Sequence, residues 1–459
     1  MFKKITSVFI VLLILSGLFN ISFAAAPELN AKAAILIDAK TGNVLYEKEA
    51  DKKMYPASTT KIMTAILTLE NCKLDDVAIA SHNAVYSIPY GYSVATIQEG
   101  EELTIEQLLN VLLIPSANDA AVVLAEHIAG SVETFSDMMN SKAKELGCVS
   151  TNFVNPNGIH NENHYSSAYD LALISRAFFQ DEMLCKIGNT ARYHFEPTAT
   201  QPDDFYLNNK HKLITGEIAY DGIRGGKTGY TDEARQTLVT CAEQNGMKLI
   251  CVVFKEESPA QFTDTVELFD YGFHNFQAMN ISENEEDYNI DTTGYLQIGN
   301  DIFGNSKPIL SIDTESCVIV PNTIDFDDLD SEIDYSVSGE NCVAQILYSY
   351  QDTYVGNAYL NLADNSASTY DFDTNMKTTD ISVEKADTEA EKVEEQNTIF
   401  INVKKVLIMI LIFAALIIIL FVLRALVINS KNAKRRKNRV KRKQRRRARI
   451  QSDFDDFDF

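Results

Sequence analysis

Ser58-Thr59-Thr60-Lys61 opens a stretch of helix-forming residues and sets a hydroxyl one helical turn from an amine. Positions i and i+3 share a helix face, so the lysine nitrogen can reach the serine oxygen. Serine is a weak nucleophile until a base takes its proton, and a neutral lysine beside it is one way to supply that base. A lone S-x-x-K arises often by chance, and then means only an exposed helical serine and lysine. Two further stretches change the reading. Ser116-Ala117-Asn118 follows the apolar, helix-like run 108–115. Lys227-Thr228-Gly229 follows a glycine-rich segment, Gly222 to Gly226, that reads as flexible, and leads into strand-like Gln236-Thr237-Leu238-Val239-Thr240.

S-x-x-K, S-x-N and K-T-G in that order are the signature of active-site serine penicillin-recognising enzymes. On these motifs the chain resembles the D-alanyl-D-alanine carboxypeptidases of serine peptidase family S11, among the low-molecular-mass penicillin-binding proteins. The likeness extends to Ala34–Tyr46, similar to the family's opening hairpin, and to Pro56–Thr64, similar to its nucleophile segment. Asn155-Pro156-Asn157-Gly158 and His164–Ala172 resemble the stretch between its second and third motifs. Residues 30 to 275 are covered well, and 280 to 370 only loosely.

The residues themselves suggest an α+β fold. Two alternating apolar runs flank Lys40-Thr41-Gly42-Asn43, a hairpin signal. Helical stretches follow at Thr60–Leu69, Ile105–Leu113 and Ala120–Ile128, and strands return at Leu238–Ala242 and Lys248–Phe254. Early and late strands with helices between them predict a sheet covered by helices. The resemblance implies a β-lactamase/transpeptidase-like domain: an antiparallel sheet flanked by helices, an all-helical lobe, and the active site between them. We expect it over 25–276. A small β domain is expected over 281–372, where short apolar runs alternate; in the family it is thought to act as a spacer above the membrane.

The two ends speak of place. Lys3 and Lys4, an apolar run from Ile5 to Phe19 and Ser22-Phe23-Ala24-Ala25 form the pattern of a secretory signal, expected over 1–24. Val406 to Leu423 is uninterrupted apolar sequence, and at about 1.5 Å per residue just spans a hydrocarbon core. We expect a transmembrane helix over 403–427, preceded by an acidic linker over 373–402 and followed by a basic cytoplasmic tail over 428–459. The tail carries thirteen Lys or Arg between Lys431 and Arg449, which marks the cytoplasmic side and attracts anionic lipids. The catalytic part is therefore expected outside the cell membrane, facing the wall.

The chain's formal charge of −23 becomes −32 for residues 1 to 430, with 28 bases against 60 acids. So negative an exterior makes nucleic acid an unexpected partner. Seven scattered cysteines form no C-x-x-C pair and the seven histidines no H-E-x-x-H, so neither a disulfide framework nor a metal site is expected, nor a cofactor. Most cysteines read as core thiols, with one bridge still open.

The chemistry would run on Ser58 as nucleophile and Lys61 as base. The base must be neutral near pH 7, which burial and a neighbouring cation, Lys227, would favour. The resemblance assigns Ser116 the proton relay to the leaving amine and Asn118 the grip on the substrate backbone. It assigns Lys227 and Thr228 the terminal carboxylate, and the backbone amides of Ser58 and Tyr230 the oxyanion. A strand glycine, Gly229, permits close backbone approach. Arg224 reads equally as a carboxylate ligand or a surface ion pair. One departure stands out: many relatives have Ala-Gly where this chain has Ala234-Arg235. Peptidoglycan pentapeptide stems are the expected substrate and β-lactams covalent inhibitors. The alternatives are a β-lactamase, disfavoured because no E-x-x-L-N element lies between the second and third motifs, and a stem-peptide- or penicillin-sensing membrane receptor with little turnover.

Overall fold

The computed structural model describes residues 26–198, 202, 204–285, 310–337 and 342–362. The expected signal segment, acidic linker, membrane span and basic tail lie outside them. Among the described residues no helix is long and apolar enough to cross a membrane.

The first elements among the described residues form the expected hairpin, β1 (Ala33–Asp38) and β2 (Val44–Lys48). Two small antiparallel pairs follow: β3 (Val77–Ile79) with β4 (Glu102–Thr104), and β5 (Arg192–Phe195) with β6 (Phe205–Asn208). Then come β7 (Ile223–Thr231), β8 (Arg235–Gln244) and β9 (Met247–Glu256), which join the first hairpin in one antiparallel sheet of order β2-β1-β9-β8-β7. Gly222–Gly226 reads as flexible from sequence, yet Ile223 to Gly226 belong to β7, with Gly225 opposite Cys241 and Gly226 opposite Thr240. Glycine composition suggests freedom; pairing to a buried neighbour strand removes it.

Alternation along the central strands builds two cores. Ile35, Ile37, Ile250, Val252 and Phe254 face one side of the sheet, and Ala34, Leu36, Leu249, Cys251 and Val253 the other. This is the period-two pattern of strands buried on both faces. The first side is covered by a helical lobe: α1 (Lys61–Asn71), α2 (Ile105–Leu113), α3 (Asn118–Ala129), α4 (Val132–Glu145) and α5 (Ala168–Gln180). The second is covered by α6 (Ala260–Asn275), whose Leu268, Phe269 and Phe273 join that core.

After α6 the chain enters a second sheet at once. Its strands are β10 (Phe276–Asn280), β11 (Leu310–Ile312), β12 (Cys317–Pro321), β13 (Asp330–Asp334), β14 (Cys342–Tyr350) and β15 (Thr353–Leu362), in order β10-β12-β15-β14-β13 with β11 on β15. It begins five residues before the expected boundary at 281, because Phe276–Asn280 pairs with Cys317–Pro321. This sheet is fastened to the first. Asn43 Nδ2 donates to Ile319 O at 3.0 Å, Lys40 Nζ donates to Glu315 O, and Ile319 is buried in the α6-side core. All seven cysteines are free thiols, three of them buried.

Candidate active site

The nucleophile segment is a single 3-10 turn, Ala57–Thr60, running directly into α1. Pro56 O takes hydrogen bonds from Thr59 Oγ1 at 2.7 Å and, across the sheet, from Thr237 Oγ1 at 3.0 Å, which ties the turn to β8. Beneath the turn, Ala57 sits at φ 50° and Gly158 at φ 81°, and a Cβ on Gly158 would lie 1.8 Å from Ala57 O. Only glycine fits there. On the other side a Cβ at Gly229 would lie 2.9 Å from Pro56 O and 3.1 Å from the Ser58 amide nitrogen. The third motif therefore lies against the first at backbone level.

Lys61 is buried, and its Nζ lies 2.9 Å from Ser58 Oγ, 2.8 Å from Asn118 Oδ1 and 2.8 Å from Asn157 O. Burial, then the charges of Lys227 and Lys210, hold its pKa well below the ordinary lysine value. Hydrogen bookkeeping fixes what a neutral amine would do here. Two oxygens, an amide carbonyl and a backbone carbonyl, can only accept. The two remaining N–H groups must serve them, which leaves the nitrogen lone pair for the Ser58 hydroxyl. The Asn118 orientation is set independently, since its Nδ2 donates to Ser93 O at 2.9 Å.

The helix face that carries Lys61 also carries its supports. Thr64 Oγ1 donates to Pro156 O at 2.6 Å, and Thr60 Oγ1 lies 2.8 Å from His164 Nε2. His164 Nδ1 accepts from the Val154 amide at 3.2 Å, so the ring proton sits on Nε2 and is donated to Thr60. Burial, aided by His160 and Lys61, pushes the His164 pKa down to about 3, which keeps this tautomer neutral at physiological pH.

Ser116 lies in the turn between α2 and α3 at φ 68°, a conformation uncommon outside glycine. Its Oγ is buried and has no hydrogen-bond partner among the described residues. Asn118 begins α3, and the neighbouring Asp119 carboxylate accepts from the Ala95 and Ile97 amides, fixing the 93–97 loop beside the cleft. Lys227 is buried in β7; its Nζ donates to Thr228 O at 3.0 Å, and burial with the nearby Lys210 charge pulls its pKa down to about 7. Thr228 is half-buried on the same strand. The structure thus brings Ser58, Lys61 and Asn118 into direct contact and sets Lys227 close enough to act on Lys61.

Some participants carry no motif. Lys210 donates to Ser93 Oγ across the cleft and lowers the pKa of both other lysines. The Asn157 carbonyl had only the turn-forming Asn-Pro-Asn-Gly as a signal. Arg224 is an exposed ion-pair partner of Glu243 at 2.8 Å. Arg235, the departure from Ala-Gly, stands at φ 56° and points along the hairpin edge, with Nε and Nη2 donating to the Glu257 carboxylate at 2.8 and 2.6 Å and Nη1 donating to Tyr230 Oη at 3.2 Å.

A family model described as D-alanyl-D-alanine carboxypeptidase, the S11 peptidases, matches residues 20–258. The chain is 38% identical over 253 residues to D-alanyl-D-alanine carboxypeptidase DacF of Bacillus subtilis (strain 168), covering 54% of this chain and 63% of that one. It is 32% identical over 263 residues to DacC of Escherichia coli (strain K12), covering 55% and 64%. The chain thus spans less than two thirds of the length of these curated relatives. A variant of the Streptomyces K15 DD-transpeptidase superposes with TM-score 0.51 at 31% identity, over 54% of this chain and 99% of that one. Penicillin binding protein 5 from Haemophilus influenzae shares the fold over 73% of this chain and 97% of its own, with TM-score 0.58 and 23% identity. The ordered motifs, their convergence on one buried lysine and these matches lead to one classification: the chain belongs to the S11 family of D-alanyl-D-alanine carboxypeptidases.

Proposed function

We propose that this protein is a serine D,D-carboxypeptidase that removes the terminal D-alanine from peptidoglycan stem peptides through an acyl-enzyme on Ser58. The observation that carries this reading is the contact between Lys61 Nζ and Ser58 Oγ, with both other partners of the amine able only to accept. Lys61 takes the Ser58 proton as Oγ attacks the carbonyl of the penultimate residue. The Ser58 and Tyr230 amides hold the oxyanion, donors that in related chemistry are worth several kcal/mol. The peptide bond then breaks, the proton passes through Ser116 to the leaving amine, and D-alanine departs. Water attacks the ester, Lys61 accepts its proton, and Ser58 is restored.

The Ser116 hydroxyl suits this role, since it is buried in the cleft with no hydrogen-bond partner among the described residues and is free to engage the leaving amine. Lys227 and Thr228 receive the terminal carboxylate, with Lys210 adding charge. Export and a C-terminal membrane span belong to the same proposal, on the strength of the apolar and basic segments at the chain's ends.

The test is a fluorescent penicillin that does not cross membranes, applied to intact cells and to the full chain in detergent, beside Ser58→Ala. Covalent label on the parent alone, with release of one D-alanine per pentapeptide, is the expected result. Label without release would favour a sensor, fast turnover of the drug a β-lactamase, and absence of label would overturn the proposal.

The pH profile follows from the two lysines. Lys61 works only when neutral and Lys227 only when charged. The release rate per free enzyme should rise as Lys61 loses its proton and fall again above pH 7, where Lys227 loses its own. Saturation with the carboxylate substrate holds the proton on Lys227, so the falling limb should move to higher pH in kcat than in kcat/KM. A falling limb at the same pH in both would refute the assignment.

A further inference from the structure

Lys210 lowers the pKa of both cleft lysines, although no motif marks the segment that carries it. A lysine stem is long and flexible, so its charge acts from a fixed place only where tip and root are both held. The tip is held by Ser93, whose Oγ accepts from Lys210 Nζ and whose carbonyl accepts from Asn118 Nδ2. The root is held by the residues on either side. Asn209 donates from its amide to Ala191 O at 2.9 Å and from Nδ2 to Thr190 O at 3.0 Å, and its Oδ1 accepts from the His211 amide at 3.0 Å. His211 is fully buried, with Nε2 2.8 Å from Thr240 Oγ1 on β8. Its ring lies against the Gly226–Thr240 pair of β7 and β8, where a Cβ on Gly226 would come within 2.7 Å of Nε2. Phe262 of α6 meets it edge-on, ring centres 5.7 Å apart. The residue after Gly226 is Lys227, so one imidazole braces the strand bearing one cleft cation and the segment bearing another.

A buried histidine beside a hydrolytic cleft invites a role in proton transfer. Two observations speak against it. Burial pulls the His211 pKa down to about 3, so the ring is neutral at working pH. Among the described residues neither ring nitrogen bonds to Ser58, Lys61 or Lys227: Nε2 meets Thr240, and Nδ1 has no partner. The charges that act on Lys61 are Lys227, Lys210 and Asp119, with His164 neutral beside it. Lys227 is fixed by the pairing of β7 with β8, and Asp119 by the amides of Ala95 and Ile97. Of these three, Lys210 is the one whose root rests on His211.

We propose that His211 is a positioning residue for the hydrolysis: anchored to Thr240 beneath Gly226, it holds the Lys210 ammonium within reach of Lys61 and Lys227. This rests on the carboxypeptidase reading for the rate that is followed, and a second measurement needs no turnover. His211→Ala frees the root of Lys210, so the cation swings into solvent and both cleft lysines keep their protons to higher pH. The two limbs of the kcat/KM profile should therefore both move to higher pH. On the rising limb the rate falls about threefold beyond any change in the maximum, and on the falling limb it rises about threefold, the scale of one screened charge removed at a distance. A role in packing alone would lower the whole curve and move neither limb.

The profile is measured on the full chain in detergent with three substitutions. His211→Ala removes the ring, Thr240→Val removes its anchor with little change of shape, and His211→Gln offers an amide nitrogen in place of Nε2. The first two should move both limbs, and His211→Gln should restore them. In a chain carrying Lys210→Met, adding His211→Ala should move neither limb further. Limbs that stay put in both His211→Ala and Thr240→Val, or a displacement that persists without Lys210, would overturn the proposal. The lysine 13Cε resonances of Lys61 and Lys227, titrated in the same variants without substrate, report the displacement directly. Moved resonances with no D-alanine released would keep His211 in its role and remove the carboxypeptidase; release with unmoved resonances would do the reverse.

Discussion

Lys61→Met should slow acylation by penicillin and release of D-alanine by about two to four orders of magnitude, the usual scale for losing a positioned general base. The reason is specific to this site. No other group that can accept a proton lies within hydrogen-bonding distance of Ser58 Oγ among the described residues. Lys61→Arg should fail almost as badly. A guanidinium keeps a positive charge beside the serine but stays protonated at any working pH, so it separates the role of base from that of mere cation. The time course of fluorescent penicillin labelling measures both variants, and a rate within tenfold of the parent in either would remove Lys61 from the mechanism.

The second large effect points in two directions at once. Lys227→Met should lower kcat/KM for pentapeptide by about a hundredfold or more, since an unpaired substrate carboxylate buried in the cleft costs on the order of 3–5 kcal/mol. The same variant should fold more stably than the parent. Lys227 titrates near 7 in the folded chain against 10.5 when exposed, so near neutral pH the unfolded chain binds the additional proton. That lowers folding stability by on the order of 4 kcal/mol. The penalty is full below about pH 7 and fades as pH climbs towards 10.5. Urea denaturation at pH 7 and at pH 9 reads it: the parent should gain stability over that interval, and Lys227→Met should show a higher midpoint with a smaller gain. A lower midpoint for the variant at pH 7 would contradict the assignment of a costly buried cation.

What was legible in the sequence was local. The Ser58–Lys61 spacing needs only one turn of helix, and the hairpin at 40–43 only a turn between two apolar runs, so both could be read from neighbours along the chain. Asn118 was readable because it belongs to a motif, although its bond to Lys61 spans 57 positions. Lys210, Ser93 and the Asn157 carbonyl take part through tertiary placement alone. No spacing rule reports a carbonyl that arrives from 96 positions away. The start of the second sheet was missed for a related reason. Phe276–Asn280 has no breaker residue between it and α6, and its strand character comes from Cys317–Pro321 lying beside it. Arg235 looked from sequence like an intrusion at the cleft edge, and tertiary structure turns it aside towards Glu257.

The clasp of the 40–43 turn on β12, with Ile319 sunk among the residues of the α6-side core, joins the two sheets at a second place besides the covalent step from α6 to β10. A lever welded at its fulcrum transmits rotation without bending. A rotation of β12 is thus passed to the 40–43 turn, and from β1 through β9 to β8, whose Thr237 holds the turn that carries Ser58.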